Sequence, residues 1–173
     1  MPSRDDRVTL AACNNARRCH AVCTAHGLPT RLTEELWICD GPPPRFTSRA
    51  TTLGPGPAVE AALRILLAAR PGLGGGIKDG FLAIDLSDLG WSELFSADWL
   101  WREPVSAGPT ALDWRRVTSP IDLAAWERAW EGGERPAGVP VQFPPSLLGD
   151  PDLAFMAGWR GDAIAVVAAL NQT

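Results

Sequence analysis

Lys78 and Asp79 follow three consecutive glycines and open an apolar run. Side chains at the start of a strand after a flexible bend can be held at a sheet end facing a cleft. An ammonium there would steady an anionic leaving group, and the adjacent carboxylate would receive a proton or orient an amine. The plainer reading is a solvated turn with a local charge pair. Arg45, Thr47, Ser48 and Arg49 follow a run of three prolines and offer several donors for a sulfate, phosphate or carboxylate. Charged loop ends without function share that pattern. Trp99 and Trp101 alternate with Leu100 and would point to one side of an extended segment. With Trp37 they would wall a pocket able to stack on a flat or cationic group; core packing is the competing expectation.

Cys13, Cys19, Cys23 and Cys39 gather near the start of the chain with its two histidines, His20 and His26. Cys19, Cys23 and His26 share one helix face. Zinc sites draw paired ligands from separate segments, and no second pair follows downstream, so buried structural thiols are the expectation and no metal is assigned. Tyrosine is absent, so this chain offers no phenol as a general acid.

These residues need elements to position them. A first helix is expected over residues 7–26, with Asp5 and Asp6 at its positive end and Gly27 beyond its last turn. Strand-like runs follow at 31–39 and 46–53. A second helix is expected over 57–70, where Pro57 suits the first turn. A strand over 77–86, a short helix over 87–95 and an extended piece over 98–102 come next. Residues 103–109, with two prolines and a glycine, form the expected linker. Beyond it lie a strand over 112–118, a helix over 121–130 capped by Ser119, and a hairpin of strands 153–160 and 163–170 around Gly161-Asp162. The expected class is α/β, divided into an amino-terminal α/β lobe (1–104) and a second unit (105–173).

The last run, residues 163–170, is apolar on both faces, the pattern of a strand inside a sheet. It ends the chain without neighbours to follow, so a second polypeptide is expected to complete the sheet. Apolar residues at 46%, charged residues at 21% and a net charge of −4 describe an ordinary globular chain with no electrostatic footprint for nucleic acid. No apolar stretch reaches the roughly 20 residues that span a bilayer, and the polar start lacks a secretion signal's apolar core. The expected location is cytoplasmic.

Three stretches carry a family resemblance. The segment from Trp114 to Gly132, the segment from Phe143 to Pro151 and the closing hairpin together resemble the first half of a GNAT-like domain, from the Gcn5-related N-acetyltransferase superfamily. The stretches 76–86 and 90–99 resemble the amino-terminal lobe attached to that domain in some bacterial relatives. The resemblance implies an incomplete GNAT-like sheet. In that superfamily the acyl-CoA pyrophosphate sits on a glycine-rich loop opening a helix after the fourth strand, and this chain stops before that point. Its own glycine-rich stretch, 70–76, follows a helix and is expected to act as a bend. GNAT-like proteins split over two chains include aziridine-forming enzymes of actinobacterial natural-product pathways, in which a sulfated amino-acid-like intermediate loses sulfate as its amine closes the ring. The implied function is a subunit of a heteromeric biosynthetic enzyme acting on a small amino-acid-derived metabolite, with sulfate elimination the sharpest version and no cofactor required. The alternatives are an N-acyltransferase subunit that uses acyl-CoA and a non-catalytic stabilising subunit.

Overall fold

The computed structural model describes residues 2–72, 74–103, 105–106, 108 and 110–172. Helix α1 (Arg4–Ala25) starts three residues earlier than residue 7, because Ser3 and Asp6 form a reciprocal capping box. Strands β1 (Thr30–Leu32), β2 (Leu36–Cys39), β3 (Ala50–Thr52) and β4 (Ile77–Lys78) form one sheet in that order. The first three pair antiparallel, and β4 lies parallel to β3 through the crossover helix α2 (Pro57–Ala69). A parallel return needs such a crossover.

The sheet is covered on both faces. Leu36, Ile38 and Ala50 pack against Val59, Leu63, Leu66 and Leu67 of α2. On the opposite face Trp37 and Cys39 pack against Ala16, Cys19 and Cys23 of α1. All four residues of β2 are therefore buried. The 13-residue crossover helix α2 serves a strand that is only two residues long.

The second sheet has the order β5 (Asp113–Arg116), β6 (Leu153–Arg160), β7 (Ala163–Asn171), all antiparallel. Helix α3 (Pro120–Glu131) connects β5 to β6, with Ser119 accepting from the Asp122 amide as its cap and Pro120 in its first turn. Leu123 and Trp126 of α3, Leu153, Phe155 and Ala157 of β6, and Phe143 and Leu147 of the preceding loop form one core, to which α1 contributes Val22. The Trp126 ring meets Phe143 and Phe155 edge-on at 5.3 and 5.0 Å and donates its Nε1 proton to the Met156 carbonyl. Gly158 has to lack a side chain, since a Cβ there would lie 2.8 Å from Val166 Cγ1. Helix α1 is thus common to both cores, and Asn14 also exchanges side-chain to backbone hydrogen bonds with Asn171 of β7.

Several expected elements are shorter, each for a local reason. The run 31–39 is two strands, because the Thr33 hydroxyl accepts from the amides of Glu35 and Leu36 and turns the chain. The run 46–53 contributes only β3. The strand expected over 77–86 stops at Lys78, and the Asp79 carboxylate takes the amides of Phe81, Ala83 and Ile84 that a ladder would have used. The helix expected over 87–95 is a single 3₁₀ turn, Ser87–Leu89, ended by Gly90 at φ +79°. Residues 98–102 pair with no strand. Pro104, Ala107 and Pro109 of the expected linker lie outside the described residues, as do Leu73 and Thr173. Among the described residues strand β7 is an edge, and Val166 and Leu170 on its second face are 39% and 53% exposed.

Candidate functional site

The residues singled out by type fall into two groups at different levels of α1. The first surrounds a cavity of about 320 Å³ lined by His26, Leu28, the prolines 42–44, Arg45, Pro140, Val141 and Gln142. That volume lies at the small end of ligand pockets, which run from roughly 300 to 1,000 Å³. Its walls are apolar and rigid, since prolines have few conformations to lose on ligand binding. His26 closes one side, with Nε2 3.2 Å from the Gln142 carbonyl.

Arg45 is the charged member of this lining. Its guanidinium lies 4.8 Å over the Phe46 ring and 3.5 Å from the Glu131 carboxylate, with half of its side chain exposed. The Glu131 side chain is only 10% exposed, but the contact is long and the guanidinium faces solvent, so an entering anion can reach it. Phe46 holds φ at +60°, a left-handed conformation uncommon outside glycine, which aims this turn. Its ring meets Trp130 edge-on at 5.1 Å, anchoring it to α3.

The other donors expected to cradle an anion are committed elsewhere. Thr47 is buried and accepts from the Gln142 side-chain amide at 3.2 Å. The Ser48 hydroxyl is 2.9 Å from that of Thr51. Arg49 is buried and donates to the carbonyls of Gly74 and Gly41, both at 2.6 Å, while its own amide donates to Gly76. It clasps the glycine-rich bend to the proline loop, so carbonyls of that bend face a cation, the reverse of a phosphate cradle.

Behind the cavity lies a network that the sequence reading missed. Glu127 is fully buried and accepts from the Gln142 amide at 2.5 Å and from Arg135 at 2.7 Å. Glu131 stands between Arg135 and Arg45. The network fixes the loop carrying Pro140 and Gln142 onto α3. A glutamate at the i+1 position after Trp126, the centre of a buried helix stripe, was the available clue.

The second group is built around Lys78. Register places Lys78 opposite Thr51 on the α1-facing side of the sheet. Its Nζ sits 4.4 Å over the Trp99 ring, and Trp99 is fixed by donating to the Gly80 carbonyl at 3.1 Å. Burial lowers the Lys78 pKa from its ordinary value; the Cys19 thiol opposes that shift and the Arg18 guanidinium adds to it. The Trp99 face favours the ammonium as well, by about 0.5–1 kcal/mol at a partly exposed site. Lys78 makes no ion pair among the described residues.

Asp79 does not share this environment. Its two oxygens receive the Thr52 hydroxyl and three backbone amides, which organise the turn through Leu82 at φ +53°. Lys78 and Asp79, adjacent in sequence, face opposite sides of the sheet. Trp101 stacks under Arg7 at 5.0 Å and donates to Glu103, so both alternating tryptophans do turn toward the amino-terminal half of α1. Trp37 does not join them. It is 1% exposed within the thiol cluster, where its Nε1 finds no acceptor among the described residues.

Cys19, Cys23 and Cys39 are buried free thiols, and burial pushes the Cys23 thiol up with a further contribution from Cys39. Among the described residues no group of three His, Cys, Asp or Glu side chains could hold a metal. A larger depression of about 630 Å³ between α2 and Trp91 includes Arg64 and Arg70. Their charge is spent on Glu60, Asp88 and Asp40, so it offers no open cation. Among the described residues no helix is long and apolar enough to cross a membrane. No family model, curated protein or solved structure matches this chain.

Proposed function

We propose that this chain is one subunit of a heteromeric biosynthetic enzyme and that a small, amino-acid-derived metabolite seats its acidic group on Arg45. The cavity of about 320 Å³ carries this reading: it couples a rigid proline wall to a weakly paired guanidinium. The apolar wall excludes water around the ligand body, which strengthens the ionic contact. His26 and Gln142 supply polar atoms at the same opening.

The assembly half of the proposal rests on the second sheet. Three antiparallel strands with one connecting helix are compatible with the resemblance to the first part of a GNAT-like sheet, and β7 presents an apolar, uncharged edge to which a further strand would add. In its sharpest form the substrate is an O-sulfated amino acid whose amine displaces sulfate. Acyl transfer would need the pyrophosphate loop of the second chain, because the glycine bend here is clasped by Arg49.

The test is calorimetric titration of the chain, alone and as the complex recovered by co-purification, with O-sulfoserine, serine and coenzyme A. Binding of O-sulfoserine that is lost in Arg45→Ala and partly kept in Arg45→Lys supports the cavity. Release of sulfate by the complex supports elimination. Failure of every compound to bind either preparation, or binding indifferent to Arg45, overturns the reading.

A further inference from the structure

Of the sixteen basic side chains fifteen are arginine, and the single lysine is Lys78. An arginine serves a purely ionic or solvating role at least as well, but its guanidinium does not lose its proton in a protein. An amine does, and its lone pair is then a nucleophile toward carbonyl carbon. The chain therefore has one side chain capable of amine chemistry, and the fold places it half-buried on a tryptophan face.

The surroundings of Lys78 match that chemistry. From β3 it faces uncharged Thr51. From α1 the Cys19 thiol and the Arg18 guanidinium act on it through charge, and a second cation disfavours the ammonium. The nearest carboxylate in sequence, Asp79, is saturated by four donors on the other side of the sheet. Glu103, on the tryptophan-bearing segment, is occupied by Arg7 and Trp101. Nothing among the described residues therefore pins Lys78 as an ion-pair partner. Arg18 likewise makes no ion pair among the described residues and remains available to an anion.

We propose that Lys78 is a carbonyl-reactive amine that captures a small aldehyde or ketone bearing a carboxylate, with Arg18 holding the carboxylate and Trp99 forming the wall. The Lys78 nitrogen attacks the carbonyl carbon, and the C–O π pair moves to oxygen, which takes up the proton that nitrogen gives to solvent. Loss of that oxygen as water then forms the C=N bond. Amine and carbonyl become imine and water, and no oxidant or cofactor enters the balance. This proposal is independent of the Arg45 cavity, which lies by His26, about 10 Å further along α1 than Cys19 at 1.5 Å of rise per residue.

Reductive trapping tests it. The folded chain is incubated with glyoxylate and sodium cyanoborohydride at neutral pH, and modification at residue 78 is followed by peptide mass mapping. Faster trapping than for N-acetyl-lysine amide is expected, since a lowered pKa raises the free-amine fraction at neutral pH. The advantage should vanish in urea, and Lys78→Arg should leave position 78 unlabelled with the far-ultraviolet spectrum unchanged. Arg18→Gln should slow trapping of glyoxylate but not of acetaldehyde. A rate in the folded chain equal to that of the free amide or of the urea-unfolded chain overturns the proposal. Equal slowing of both aldehydes in Arg18→Gln overturns the carboxylate recognition.

Discussion

The two sheets of this protein are covered in different ways. The β1–β4 sheet has strands of two to four residues, yet helices cover both of its faces and every residue of β2 is inaccessible. The β5–β7 sheet has strands of four, eight and nine residues, but α3 and α1 cover only one face. Its other face carries Trp114, Val166 and Leu170 in the open. Strand length therefore does not decide burial; the count of covering layers does. Both candidate sites adjoin the doubly covered sheet, where the short strands give way to long loops held by buried polar groups. The singly covered sheet leaves apolar side chains exposed on its open face.

Removing the keystone of the singly covered core sharpens the comparison most. Trp126 is 1% exposed and touches three aromatic rings, so Trp126→Ala should cost about 3–5 kcal/mol in urea-induced unfolding. Because α1 serves both cores, the variant should still unfold in one transition followed by both tryptophan fluorescence and circular dichroism. Two separated transitions would mean that the sheets are energetically independent, and the shared helix would lose its integrating role.

A smaller effect probes the doubly covered sheet. Asp40 accepts from Arg31 of β1 at 2.9 and 3.0 Å and from Arg70 at the end of α2 at 2.7 Å. Those partners, Arg31 first, hold its carboxyl below the ordinary 3.8. A depressed carboxyl pKa adds stability that is complete above the ordinary value and is lost as pH falls below it, toward the folded pKa. Asp40→Asn should therefore lower stability by about 1 kcal/mol at neutral pH. It should also flatten the acid limb below about pH 4 in a series of urea midpoints. An unchanged acid limb would show that the two arginines do not act through Asp40.

The smallest effect belongs to the open face. Val166→Asp places a charge on β7, where the side chain is 39% exposed, and the isolated chain should change by about 0.5 kcal/mol or less. The same change should abolish co-purification of the proposed second subunit. A large loss of stability in the isolated chain would mean that its own residues cover this face.

Much of the framework was legible in sequence. Ser119-Pro120 announced α3, the periodic leucines announced α2, and Gly161-Asp162 fixed the closing hairpin. Each of these signals acts within a few residues of itself. What escaped was wherever a side chain competed with the backbone ladder: Thr33 turning one run into two strands, and Asp79 drawing three amides out of another. Among the candidate residues, Arg45 does line a cavity and Lys78 does meet Trp99. Thr47, Ser48 and Trp37 went instead to internal contacts with Gln142, Thr51 and the thiol cluster. The solitary lysine was visible in the composition all along, but its meaning depends on having no carboxylate beside it.

The amino-acid sequence alone determined which segments become helix or hairpin, because caps, prolines and apolar spacing act on the local backbone. Only the tertiary structure decided that neighbours Lys78 and Asp79 part to opposite faces of a sheet, and that residues 45 and 142 meet across a cavity. Those outcomes depend on which long-range partner satisfies each buried polar group, and no local propensity encodes a partner nearly a hundred residues away.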